Sequence, residues 1–184
     1  MTAWEFSNYT MRRIILFIAA SLDGYIARAS GEVDWLFTDQ DYGYTEFLAS
    51  VDTVLMGRKT YEQVLTFGEF PYLEKTCYVF SNDPHFDTAP HAQTVRSDIK
   101  AFVEELRQTD GKNIWLVGGA ALIQPFIALS LLDELVLSIH PILLGDGVAL
   151  FHQATLTTFL TLTRSQSYDS GLVQLTYHVG AENI

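Results

Sequence analysis

The sequence predicts an α/β domain: a mixed, mostly parallel sheet flanked by helices and closed by a C-terminal antiparallel hairpin. Three observations carry this. Short β-rich runs alternate with helical patterns along the 184 residues. The first run, Arg13–Ala20, is apolar from Ile14 onward, as a strand buried on both faces should be. The last, Leu172–Val179, alternates cleanly, with Val173, Leu175, Tyr177 and Val179 on one face and Gln174, Thr176 and His178 on the other.

Taken in order, residues 1–11 are polar and aromatic without periodicity and read as an arm, with Met11 an alternative start. Residues 12–184 form one domain. Arg12 and Arg13 followed by an apolar run imitate a signal peptide, but Asp23 follows closely and a buried strand is the better reading. A polar, glycine-punctuated stretch runs from Ser21 to about Asp41. Gly43–Ser50 is a short helix and Val51–Met56 a central strand. Ser97 caps a helix reaching Leu106 or Arg107, because Ile99, Phe102, Val103 and Leu106 fall at i, i+3, i+4 and i+7. Asn113–Val117 is a strand. Ala120–Leu129 looks helical, with a kink or boundary expected near Gln124, since Pro125 lacks a backbone donor. Leu135–His140 alternates as a strand. Asp169-Ser170-Gly171 supplies the turn joining Thr158–Tyr168 to Leu172–Val179.

Composition narrows the function. Hydrophobic residues make up 48% and charged residues 18%, enough for a sizeable core. The 11 basic residues against 22 acidic give a formal charge of −11, which argues against a nucleic-acid-binding face. No apolar run approaches the roughly 20 residues of a membrane span. The single cysteine, Cys77, excludes a disulfide framework and a multi-cysteine zinc site and fits a reducing, cytoplasmic setting. The five histidines show no ligand spacing, so no metal is expected.

Several stretches carry chemistry. In Met56-Gly57-Arg58-Lys59-Thr60-Tyr61-Glu62 a strand runs into glycine, two cations and a helix start. Glycine permits close backbone approach, a helix N-terminus offers unpaired amides, and cations hold phosphate oxygens. A capped helix start with solvated cations explains the stretch equally well. Gly118-Gly119-Ala120-Ala121 repeats the strand-glycine-helix logic without cations, and a ligand-free turn accounts for it too. In Ala19-Ala20-Ser21-Leu22-Asp23-Gly24-Tyr25-Ile26-Ala27, small residues leave room for a flat ring, and Asp23-Gly24 reads as a turn. Beyond it lie Glu32, Asp34, Trp35 and Asp39; a carboxylate beside an aromatic ring can have a raised pKa. Val79-Phe80-Ser81-Asn82-Asp83 ends a strand with hydroxyl and amide donors. Ile142-Leu143-Leu144-Gly145-Asp146-Gly147 is a glycine-bounded loop.

Taken together and in this order, these stretches resemble the dihydrofolate-reductase-like superfamily. The nearer likeness is to its branch holding the reductase domain of bacterial bifunctional riboflavin-biosynthesis deaminase-reductases, and it covers about residues 12–179. The resemblance implies a three-layer α/β/α fold with about eight strands and NADPH lying across the strand ends. On that resemblance Gly57, Arg58, Lys59 and Thr60 would hold cofactor phosphates, and Ser81 would sit near the adenosine 2′-phosphate. Gly118, Gly119, Ala120 and Ala121 would cradle the pyrophosphate, and Ala19, Ala20 and Ile26 would flank the nicotinamide. One cysteine cannot supply the zinc site of a deaminase half. The expected activity is therefore NADPH-dependent reduction of a pyrimidine- or pteridine-like small molecule. Asp34 is the candidate proton donor, and the expected assembly is a homodimer. Dihydrofolate reduction and nucleotide binding without turnover are the alternatives.

Overall fold

Ile14–Ser21 forms strand β1, and Tyr25–Ala27 a short β2 just beyond a turn at Gly24. The computed structural model describes residues 11–151 and 157–180; of the expected arm over residues 1–11, all but Met11 lies outside them. Helix α1 (Tyr44–Ser50) runs directly into β3 (Val51–Gly57), which runs directly into α2 (Arg58–Leu65). Strands β4 (Thr76–Phe80) and β5 (Gln93–Val95) follow, then α3 (Ile99–Arg107), β6 (Asn113–Gly118) and α4 (Ala120–Ala128). The chain closes with β7 (Glu134–His140), β8 (Val148–Ala149), β9 (Leu160–Ser167) and β10 (Val173–Val179).

Eight strands form one sheet in the order β5-β4-β3-β6-β1-β7-β10-β9. The six from β5 to β7 are parallel; β10 runs antiparallel to both β7 and β9. Strands β2 and β8 pair separately as a ribbon. The α/β reading with its C-terminal hairpin therefore holds. The short strands β2, β5 and β8 escaped it, because two or three residues carry no readable period.

Helices cover both faces. On one face Val103, Leu106, Leu122, Ile123 and Phe126 from α3 and α4 pack on Ile14, Leu16, Leu55 and Leu116. On the other, Tyr61 and Val64 from α2, with Phe47 and Leu48 from α1, pack on Val54, Met56 and Trp115. Cys77 is buried in this second core, and burial pushes its thiol up to about 12, so it is an inert packing residue.

Two helix expectations need correction. The cap of α3 is Asp98, not Ser97: its carboxylate accepts from Ala101 N at 2.9 Å, the third residue into the helix, which is the reach a capping side chain has. Helix α4 has no boundary near Gln124: it continues through Pro125 to Ala128. The proline removes one donor, while burial of Leu122, Ile123 and Phe126 against the sheet holds the helix on both sides of it.

Candidate functional site

The parallel strands end on one edge, and there the register of β1 opens a cleft. Strand β1 pairs with β6 only from Ile14↔Ile114 to Leu16↔Leu116. With β7 it stays paired to Ser21↔His140, while β6 stays paired with β3 to Met56↔Gly118. Beyond Leu16 the sheet therefore splits between β1 and β6. At the split, the Trp115 indole N–H donates to Phe17 O at 3.2 Å, satisfying a carbonyl the ladder no longer uses. Ligands of open α/β sheets lie outside the carboxyl ends of strands, in such openings.

The two glycine bends meet on one flank of this split. Gly57 and Gly119 are the N-caps of α2 and α4, and neither helix has a side-chain cap bond. The first amides of both helices thus lack side-chain acceptors, at the positive ends of two helix dipoles. Gly119 has φ +95°, and a Cβ there would stand 2.9 Å from Thr60 Oγ1 and 3.9 Å from Gly57 Cα. The bends interlock, leaving a concave strip of backbone that requires glycine at 119. Thr60 is half-buried between them; Ala120 is buried and Ala121 exposed.

The cations of this flank differ. Lys59 is exposed. Arg58 reaches sideways to the end of β4, where its Nη1 donates to Asp83 Oδ2 at 2.7 Å. Its Nε lies 3.7 Å from Glu62 Oε1, and its guanidinium carbon 5.8 Å from the centre of the Phe86 ring. Ser81 is buried beside this pair, and its Oγ accepts from Asp83 N at 3.2 Å. Gly57, Arg58, Thr60, Ser81, Gly118 and Gly119 thus share one continuous edge. This strip of bare amides flanked by an arginine fits a phosphate-bearing cofactor.

The other flank is the end of β1 and β7. Ala19, Ala20 and Ile26 are all there, but not on one face: Ala20 and Ile26 belong to the core under α4, and Ala19 points to the opposite side, as the period of a strand requires. The loop from Arg28 to Gly43 folds over this flank. His140, buried, accepts from Phe37 N at Nε2 (3.2 Å), and Trp35 packs edge-on against its ring at 5.1 Å between centroids. Burial depresses the His140 pKa, only partly countered by its bond to Ser138 O, so the ring is neutral. Asp23 is structural, as its turn position implied. Its carboxylate accepts from Ser21 Oγ at 2.6 Å, Gly145 N at 2.7 Å and Leu144 N at 3.1 Å, tying two loops together.

Asp34 does not have the setting expected of it. It is exposed and held by Arg28 in a two-point pair, Nε–Oδ1 2.6 Å and Nη2–Oδ2 2.9 Å. That guanidinium bond holds its carboxyl below the usual carboxylate range, the wrong direction for a proton donor. Being beside Trp35 in sequence does not desolvate it, because Trp35 turns inward and Asp34 outward.

Sequence reasoning missed Asp83 and His140. Nothing in their neighbours signals either role, because both depend on residues 25 and 103 positions away. It also missed Arg12, whose buried guanidinium bonds Lys112 O (2.7 Å), Thr109 Oγ1 (2.8 Å), Thr53 Oγ1 (2.7 Å) and the Asp52 carboxylate. That cluster lines a groove at the opposite, N-terminal edge, and its donors are consumed within the protein.

A parallel sheet split beside two interlocked glycine bends, closed by an antiparallel pair, defines a dihydrofolate-reductase-like domain. Residues 12–174 match the RibD C-terminal domain family, and the chain belongs to that family. It is 41% identical over 170 residues to uncharacterized protein YwjB of Bacillus subtilis (strain 168), spanning 90% of this chain and 97% of that one. A putative riboflavin biosynthesis protein from Shewanella sp. PV-4 is 32% identical and superposes with a TM-score of 0.82 over 92% of this chain and 99% of that one. Dihydrofolate reductase from Enterococcus faecalis, complexed with NADP(H), superposes with a TM-score of 0.68 at 17% identity, over 92% and 97% of the two chains. At that identity the likeness is one of fold. Among the described residues no helix is long and apolar enough to cross a membrane, and no group of three His, Cys, Asp or Glu is placed to hold a metal.

Proposed function

We propose that the protein is an NADPH-dependent reductase of a pyrimidine- or pteridine-like substrate, of the kind reduced in riboflavin biosynthesis. The observation that carries this is the meeting of the Gly57 and Gly119 bends beside the split between β1 and β6. Membership of the RibD C-terminal domain family and the fold shared with an NADP(H)-complexed reductase support it. Bound NADPH would supply hydride to the carbon of a C=N or C=O bond. The chain's residues do the rest. The bare amides at Gly119-Ala120-Ala121 and Gly57-Arg58 hold phosphates, with Thr60 between them and Lys59 adding charge. Ser81 and Arg58 face the adenosine end. The split between β1 and β6 leaves room for a flat ring beside the end of β1; Ala20 and Ile26, held in the core, back that end rather than face the ring together with Ala19. The heteroatom takes its proton from water, because Asp34 is already ionised and paired.

That pairing favours one competing reading, a nucleotide-binding protein without turnover. Two measurements settle the matter: protein-to-cofactor energy transfer on titration with NADPH, and NADPH oxidation over a panel of aminopyrimidines and pteridines. Saturable binding with oxidation by a panel member supports the reductase. Binding with no oxidation leaves the non-catalytic reading, and no binding removes both.

We also propose a homodimer. No described helix covers the outer part of the α3/α4 face at β10 and β9. Leu162 is 52% exposed there, beside exposed Leu160 and Val173. An apolar patch of this kind at a sheet edge suits a second copy of the chain. Sedimentation velocity should give a dimer that Leu162→Asp converts to monomer; a monomeric native protein overturns it.

A further inference from the structure

We infer that Asp83 sets coenzyme selectivity, weakening the preference for NADPH by keeping Arg58 engaged. This rests on the reading that the β3–β4–β6 edge takes a nicotinamide dinucleotide. Three observations fix the carboxylate. Asp83 N donates to Ser81 Oγ at 3.2 Å, so the turn is anchored to the buried end of β4. His85 N donates to Asp83 Oδ1 at 2.9 Å. Arg58 Nη1 donates to Asp83 Oδ2 at 2.7 Å. With one oxygen held by a backbone amide and the other by the guanidinium, the charge stays between Arg58 and Ser81.

Those two residues are the groups that would receive an anion on the ribose. A phosphate there must compete with Asp83 for Arg58 and also sit beside a fixed negative charge. A free 2′-hydroxyl does neither, since a carboxylate accepts a hydrogen bond from it, which is how an acidic residue favours the unphosphorylated cofactor. Asp83 also positions Arg58 for a phosphate. That contribution is small, because Glu62 at 3.7 Å and the face of Phe86 at 5.8 Å restrain the same guanidinium. Both members of the pair are more than a third exposed, so solvent limits the effect to about two- to fivefold in Kd.

The test compares Asp83→Asn with Glu62→Gln by fluorescence titration against NADPH and NADH. Asparagine keeps the acceptor for His85 N at Oδ1, while its Nδ2 replaces the oxygen that holds Arg58, so the charge goes and the guanidinium is freed. The expected result is an NADPH Kd about two- to fivefold lower in Asp83→Asn, with NADH within about 1.5-fold and Glu62→Gln changing neither by more than that. An unchanged or weaker NADPH Kd in Asp83→Asn overturns the inference. So does a parallel shift for both cofactors, or the same gain from Glu62→Gln, which would make the effect one of bulk charge. In all three cases binding itself survives, and with it the reading of the edge as a dinucleotide site. Failure of native protein and variants to bind either cofactor removes both.

Discussion

At the ends of β3 and β6 the site edge is made of backbone; at the ends of β1 and β7 it is made of side chains. The first flank is two glycines, two uncapped helix starts and a threonine wedged between them. The second is a buried histidine, two aromatic residues and a loop lying over them. The contrast separates two tasks. Phosphates are alike in every nucleotide cofactor, and amides fixed in a bend bind them with no side chain to reorganise. A substrate ring must be told from other rings, which needs shaped and partly movable walls. On this view, substitutions in the first flank act through steric exclusion and backbone strain, and those in the second through loop placement.

The largest effect expected from this contrast comes from the glycines, which are not equivalent. A Cβ at Gly119 meets Thr60 Oγ1 at 2.9 Å and forces a side chain into φ +95°. Gly119→Ala should therefore cost about 2–4 kcal/mol of stability, from strain and overpacking together, and abolish measurable cofactor binding. Gly57 has φ −78°, and its nearest Cβ contact would be Leu122 Cβ at an ordinary 3.8 Å. Gly57→Ala should change stability by less than about 1 kcal/mol while weakening NADPH about tenfold, by crowding the concave strip. Urea denaturation paired with cofactor titration checks both. If Gly57→Ala binds as tightly as the native protein, the strip is not a ligand surface and the contrast between the flanks fails.

The same contrast explains what the sequence made readable. Glycine pairs, adjacent cations and strand-to-helix transitions are local signals, so the Gly57 and Gly119 bends were legible one by one, while their sharing of one cofactor edge came only from the family resemblance. The central strands were legible because β1 is apolar throughout and β10 alternates. Alternation sorted β10 into two faces without telling exposure: Val173 is exposed and Gln174 buried, because no described helix covers the Val173 end of the apolar face while Gln174 bonds Ser138 Oγ and Tyr42 O beneath the loop. The second flank was illegible for the same reason. Asp34 was chosen for its neighbour in sequence, whereas its environment is set by Arg28. The role of His140 depends on Phe37, and no period or motif links them.

The smallest effect tests the second flank through pH. Phe37 N–H donates to His140 Nε2, so that nitrogen must be unprotonated and the ring proton must sit on Nδ1, toward Ser138 O. Protonation would set two N–H groups against each other and charge a ring packed between Trp35 and Phe37. Burial lowers the His140 pKa from 6.5, so the unfolded chain takes up this proton at higher pH than the folded one. The stabilisation from the neutral ring is therefore complete above pH 6.5 and is lost as pH falls below it toward the folded pKa. His140→Gln removes the titration. At pH 7.5 it should be about 1 kcal/mol less stable than the native protein, the worth of one imperfectly replaced buried hydrogen bond. That gap should narrow at pH 5.5, because only the native protein suffers the protonation. Urea denaturation at the two pH values, followed by tryptophan emission, reads the difference. A gap that stays constant between them would mean the ring does not stay neutral in the fold, and that the loop over β1 and β7 is held by something other than this histidine.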